Sequence, residues 1–259
     1  MNRKKVVEIK NVSKIYHTID GETYALKNIS IDIYHGEIVV LVGPSGCGKS
    51  TLLSIIAGLL KPSKGEVFIN GKKVESTNKE IGYMFQRDHL FEWRTILGNA
   101  LIGLEIQKKV NEKTKKYVEK LLDTYGLGDF KHHYPSQLSG GMRQRAALIR
   151  TLAVKPDILL LDEPFSALDY QTRLAIADEI GTILKNEEKT AIMVTHDIAE
   201  AISMADRVVV LSKRPAIIKD IVNIELTCPN SIRTPMRSRE APEFRYYFNK
   251  IWKELDVHV

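Results

Sequence analysis

The chain has 259 residues, 44% hydrophobic and 27% charged, which is enough for one sizeable core and excludes a disordered or fibrous protein. Lysine plus arginine exceed aspartate plus glutamate by 38 to 32, a net charge of +6 spread without a dense basic block. Arg233, Arg237, Arg239 and Arg245 are scattered among acidic residues, so charge alone does not fix a partner. The longest apolar runs, such as 38–42 and 158–161, are far shorter than the roughly 18–20 residues of a membrane span. The charged opening MNRKKVVEIK leads into no apolar secretory segment. Cys47 and Cys228 give neither a disulfide framework nor metal-ligand spacing and fit a reducing compartment. A soluble intracellular protein is expected.

In chain order, residues 6–16 and 28–34 read as strands, with a turn at His35-Gly36. The unbroken apolar run 38–42 predicts a strand buried on both faces. It meets GPSGCGKST, after which LLSIIAGLL predicts a helix that stops at Lys61-Pro62. Short strands follow at 65–71 and 81–85. From about 95 to 150 the pattern turns helical: Ile96, Ala100 and Leu101 share a face, then Val118, Leu121 and Leu122 share another. Tyr134-Pro135 interrupts before a helix over 142–154. Buried strands at 158–162 and 191–194 alternate with helices at 170–185 and after Asp197, and a strand covers 207–211. The tail reads as a strand, an irregular piece with Pro229, Pro235 and Pro242, and a helix over 244–255. Alternating strands and helices predict an α/β protein with a parallel sheet and a helical insert. No internal repeat appears.

Two motifs carry chemistry. Gly43-Pro44-Ser45-Gly46-Cys47-Gly48-Lys49-Ser50-Thr51 matches the phosphate loop GxxxxGK[ST] in the required strand–loop–helix setting. Its glycines let successive N–H groups turn toward phosphate oxygens, and the helix adds its positive end. Lys49 can reach the β- and γ-phosphates and Ser50 can ligate Mg²⁺; Cys47 fills a variable position. The second motif is the apolar strand ending in Asp162-Glu163, which delivers carboxylates to the sheet edge where ligands of such folds sit. Asp162 suits Mg²⁺, and Glu163 suits a general base for an attacking water. Together they predict nucleoside triphosphate hydrolysis. No guanine-type NKxD motif is present; Asn78-Lys79-Glu80 lacks the aspartate. Leu138-Ser139-Gly140-Gly141 opens another helix, whose serine is either an ordinary N-cap or part of a second anion site.

In that order the chain resembles ATP-binding cassette (ABC) proteins over nearly its whole length. Beyond the motifs above, it has Gln86 after the strand IGYMF, LSGGM at 138–142, Ser166-Ala-Leu-Asp169, and His196 in VTHD. Tyr16 stands where the family stacks an aromatic on adenine. The resemblance implies a P-loop cassette with a mostly parallel core sheet, an N-terminal antiparallel β part and a helical insert. It places the nucleotide-binding core at 1–87 and 154–212, the helical subdomain at 88–153 and an extension at 213–259. It also implies a head-to-tail homodimer, each ATP lying between one subunit's phosphate loop and the other's Ser139, Gly140 and Gly141. Gln86 would sense Mg²⁺ and water, His196 would hold the γ-phosphate, and Asp169 would lie in the D-loop.

The strings GPSGCGKSTLL, FQRDHLFEWRTILGN and LSGGMRQRAALIR are similar to import cassettes of the nitrate/sulfonate/taurine type. Met142 stands where most families have Gln, as is usual in that subfamily, and Glu92 where the subfamily generally has Pro before Trp. The resemblance implies a permease docking beside Gln86, near Phe91 and Trp93, with Leu90 and Ile96 in the same apolar group. It further implies a solute-binding protein outside the cell, a peripheral place on the cytoplasmic membrane face, and no nucleic acid. An ABC-type ATPase acting on DNA or ribosomes is the rival, but it lacks support from long heptads or tandem cassettes here. A small-molecule kinase would have no LSGG segment. Transported solutes of the subfamily range from sulfonates and nitrate to thiamine-precursor pyrimidines.

Overall fold

A computed structural model describes residues 4–19, 21–228 and 233–255. Two long strands, β1 (Lys5–Thr18) and β2 (Gly21–Tyr34), pair antiparallel, and β4 (Lys64–Ile69) and β5 (Lys72–Lys73) extend this sheet in the order β2-β1-β4-β5. The second sheet runs β10-β9-β3-β8-β7-β6, comprising β3 (Ile38–Val42), β6 (Ile81–Met84), β7 (Ile158–Asp162), β8 (Thr190–Val194), β9 (Arg207–Leu211) and β10 (Ile218–Asn223). Every pairing in it is parallel except that of β10 with β9 at the edge. The α/β class with antiparallel and mostly parallel sheets is thus the observed one.

Strands β3, β7 and β8 are buried at all five positions because both sheet faces are covered. The two-residue period sends Val39 and Leu41 into one cluster with Leu52, Leu53 and Ile56 of the first helix. Ile38, Val40 and Val42 enter the other, which contains Leu101, Val118 and Leu148. Each such side chain stabilises the fold by about 1.5–3 kcal/mol, so one misplaced turn would be costly.

The helices are α1 (Lys49–Ile56), α2 (Ile96–Ile106), α3 (Glu112–Thr124), α4 (Gly140–Ala153), α5 (Tyr170–Asn186), α6 (Ile198–Met204), α7 (Pro235–Ser238) and α8 (Phe244–Glu254). Side chains of Thr95, Asn111, Ser139, Asp169 and Asp197 cap α2 to α6, satisfying N–H groups that would otherwise be orphaned. Helix α1 is different: Gly48 precedes it with φ 126° and no side-chain cap. Among the described residues, no helix is long and apolar enough to cross a membrane.

Three boundaries differ from expectation. Strand β2 begins at Gly21 rather than near residue 28, because its pairing with β1 supplies hydrogen bonds that its irregular pattern does not advertise. Helix α1 ends at Ile56, well before Lys61-Pro62. Gly58 turns left-handed there (φ 73°), so close to Ser76 that a Cβ would lie 2.3 Å from its carbonyl oxygen. The irregular tail contains the short helix α7, capped by Thr234; Pro229 lies outside the described residues.

Candidate functional site

Strand β3 ends at Val42, and residues 43–48 loop into α1. Gly46 and Gly48 take positive φ (69° and 126°), and a Cβ on Gly48 would meet Leu26 Cδ2 at 2.9 Å and the Ala25 carbonyl at 3.0 Å. Glycine is therefore required by packing as well as by conformation. Cys47 is buried in the core cluster beneath the loop, so it is filler there. The Lys49 ammonium folds back to donate to the carbonyls of Gly43 (2.7 Å) and Pro44 (3.0 Å). Ser45 and Ser50 are exposed at the rim. With no side chain capping α1, its first N–H groups remain available to an anion.

Tyr16 leaves β1 beside this loop, its hydroxyl 3.3 Å from Thr51 Oγ1, with its ring exposed and Lys14 Nζ 5.3 Å from the centroid. A flat ring over the start of α1 offers a stacking face.

Asp162 closes β7 and is buried, and its Oδ1 has no hydrogen-bond partner. Burial pushes its carboxyl pKa up, against the Ser50 hydroxyl hydrogen bond, which lowers it. An acid in that setting calls for a cation. Glu163, one residue on, has a left-handed backbone (φ 48°), rare for a non-glycine residue and concentrated at functional sites. Its N–H donates to the Val194 carbonyl of β8 at 2.9 Å.

The structure brings two further predicted residues to this carboxylate, making a group of three. Gln86 Nε2 donates to Glu163 Oε2 at 3.0 Å, and His196 Nδ1 stands 3.6 Å from Oε1. Each comes from a loop at the end of a different strand, β6, β7 and β8, so the parallel sheet alone explains their convergence. Such a group can position a water and take its proton.

Ser139 is elsewhere. It caps α4, accepting from Met142 N at 3.3 Å, and among the described residues no hydrogen bond joins it to the phosphate loop. Gly140 faces open space, since a Cβ there would meet nothing within 4 Å. Gly141 lies near Leu168 of the D-loop, and Asp169 caps α5 by accepting from Thr172 N at 3.0 Å. The Thr172 hydroxyl first, and then this backbone bond, lower the Asp169 pKa.

Of the apolar group expected to dock a partner, Leu90 and Ile96 belong to the core instead, at 7% and 0% exposure. Trp93 is 74% exposed, with the half-buried Phe91 ring 5.0 Å away. The loop is pinned by buried Asn99, which accepts from Phe91 N and donates to the Phe91 carbonyl. Glu92 has a partner of its own: Arg143 of α4 donates to it at 2.8 Å and to both oxygens of Asp88.

Gln144 was not singled out from sequence. It donates to the Glu163 carbonyl (3.0 Å) and accepts from Ala167 N (2.8 Å), tying α4 to the loop that presents Glu163. The available signal was a polar residue on the same helical stripe as Ala147, Leu148 and Thr151, all buried.

The profile of the ABC transporter family matches residues 26–166. The uncharacterized ABC transporter ATP-binding protein YtlC of Bacillus subtilis is 46% identical, the match covering 96% of this chain and 95% of that one. The aliphatic sulfonates import ATP-binding protein SsuB of Bacillus cereus is 38% identical over 96% of each. Among solved structures, a dimeric post-hydrolysis ATP-binding cassette bound to ADP and Pi superposes with a TM-score of 0.76 and 34% identity, covering 85% of this chain and 99% of its own. The phosphate loop, the uncapped α1 and the carboxylate-bearing strand end are thus set in a chain that belongs to the ABC transporter family, as an ATP-binding and ATP-hydrolysing subunit.

Proposed function

We propose that this chain works as a head-to-tail homodimer that powers import of a small anionic or heterocyclic solute through a membrane permease, from the cytoplasmic face. The observation that carries the reading is the Gln86–Glu163–His196 group at the strand ends beside an uncapped helix. Glu163 takes the proton of the attacking water, Gln86 orients that water, and His196 and Lys49 neutralise the γ-phosphate. Phosphoryl transfer needs little more than such positioning and charge compensation. The N–H groups of residues 43–51 cradle the phosphates, and Tyr16 stacks on adenine.

The residues fit a divalent cation: a buried Asp162 carboxylate oxygen without a partner, with the Ser50 hydroxyl close enough to lower that carboxyl's pKa. Asp162 and Ser50, with Gln86 beside them, would hold Mg²⁺, which supplies charge neutralisation at the phosphates. Ser139, Gly140 and Gly141 serve the ATP of the other copy, and Asp169 lies at that seam. The dimeric cassette among the structural neighbours supports this arrangement.

The import names of the relatives support the direction and the sulfonate end of the solute range. The permease docks at Phe91 and Trp93, with a solute-binding protein acting from outside. Cells lacking this chain are expected to lose ATP-dependent uptake of an aliphatic sulfonate; the parent chain restores it and Glu163→Gln does not. Restoration by Glu163→Gln would sink the proposal.

A further inference from the structure

The phosphate loop is also gripped from outside, by a residue that belongs to none of the motifs above. Arg214 lies in the turn between β9 and β10, and both its Nε (3.2 Å) and a terminal nitrogen (2.8 Å) donate to the Gly46 carbonyl. The contact spans 168 residues of sequence. The turn that carries it is fixed. Ser212 Oγ donates to the Pro215 carbonyl and accepts from Ile217 N, and Ala216 exchanges backbone hydrogen bonds with Ala25 and Lys27 of β2.

The peptide plane links this grip to the phosphate-binding face. Across a trans peptide the carbonyl of Gly46 and the N–H of Cys47 point in opposite directions. A guanidinium holding the carbonyl outward therefore holds the Cys47 N–H on the inner side of the loop. That N–H now makes only a long bond to the Pro44 carbonyl (3.3 Å), and Lys49 donates to the same oxygen at 3.0 Å. When Lys49 leaves for a phosphate, those inner contacts are exchanged, and the outer grip is what keeps Gly46 in its left-handed turn (φ 69°). A fork donating twice to one oxygen fixes direction as well as distance, which a lysine cannot do.

We propose that Arg214 is a positioning residue for nucleotide binding, acting through the Gly46 carbonyl to keep the loop's N–H groups aimed at the phosphate common to ATP and ADP. The proposal rests on the phosphate loop being the nucleotide site, so Lys49→Ala is run alongside. If Lys49→Ala binds ATP normally, the loop is not the nucleotide site and the Arg214 proposal falls with that reading.

The test compares the parent, Arg214→Ala and Arg214→Lys for ATP and ADP affinity, kcat at saturating ATP, and melting without nucleotide. Arg214→Ala is expected to weaken ATP and ADP alike by about 5–10-fold, which by tenfold per 1.4 kcal/mol is about 1–1.4 kcal/mol. Melting and kcat stay near parental values, and Arg214→Lys recovers part of the affinity. A loss confined to ATP marks direct contact with the γ-phosphate and overturns the proposal, as does no loss at all. A fall in affinity that tracks a fall in melting temperature in both variants marks a merely structural turn and also overturns it.

Discussion

Two helices in this molecule begin at glycine-rich segments, and they are finished differently. Helix α1 starts with Lys49 and without a side-chain cap, after Gly48, which packing against Leu26 and Ala25 makes obligatory, and its surroundings supply Asp162, Glu163, Gln86 and His196. Helix α4 starts with a serine cap at 3.3 Å and with Gly140 facing open space. Gln86, Glu163 and His196 reach it from the ends of the parallel strands β6, β7 and β8. The second end is held firmly from behind, by Gln144 and Arg143, and offers its front to something else. Under the proposed head-to-tail arrangement, the first end holds this chain's ATP and the second faces the ATP of the other copy.

The largest effect expected concerns the first end. Glu163→Gln keeps shape and removes the base, so ATP hydrolysis is expected to fall about 100-fold or more while ATP still binds. Lys49→Ala is expected to lose binding itself. Measured phosphate release and equilibrium ATP binding separate the two, and a Glu163→Gln chain with near-parental turnover would place the base elsewhere.

The second end is broken by mixing. Lys49→Ala and Ser139→Arg chains form heterodimers with one intact and one doubly damaged site. ATP-dependent dimerisation is expected to return on mixing, relative to either variant alone, in sedimentation or light scattering. Absence of recovery at every ratio, with both chains folded, argues that the open end serves no second copy.

Between the two ends lies the loop carrying Phe91 and Trp93. Truncating an aromatic anchor commonly costs about 2 kcal/mol of binding. Trp93→Ala is expected to weaken co-purification with the permease while melting of the isolated chain changes little, because the ring is 74% exposed. Phe91→Ala combines that loss with a lower melting point, since its ring is half-buried. Should Trp93→Ala melt far below the parent and lose ATP, the ring is a core residue.

A last effect concerns α6, the helix that follows His196 in the chain. Glu200 on α6 is buried, and burial first, then the nearby Asp197 charge, push its pKa up to about 8. The folded state thus binds this proton more tightly than the unfolded one. Stability is expected to fall as pH rises from about 4.5 to about 8, and to level off above. Thermal melts at pH 5 and pH 8 test this, with Glu200→Gln expected to remove most of the slope; an unchanged slope assigns it to other groups.

What the sequence discloses is what is local. A phosphate loop is legible because one short stretch must bend, bind and start a helix, and β3, β7 and β8 are legible because burial on both faces leaves unbroken apolar runs. Strand β2 starts earlier than its pattern indicates because β1 dictates its pairing. Leu90 and Ile96 look the same in sequence as Trp93; only packing separates core from surface. Arg214 on Gly46 and Arg143 on Glu92 were illegible because each joins segments with no local signature of the other. The Arg143 contact also gives Glu92 a role that proline could not have, a charge by which α4 holds the loop.

Cys47 closes the loop from below, 1% exposed, its sulfur 3.0 Å from where a side chain on Gly43 would begin. The only other thiol in the chain, Cys228, is partly exposed. The protein therefore carries its own clock for loop opening. An alkylating reagent consumes Cys228 at a rate set by ordinary solvent access, and Cys47 only as often as the phosphate loop lifts from the core. Nucleotide in the loop is expected to lengthen that second interval, which a count of modified thiols over time with and without ATP would check.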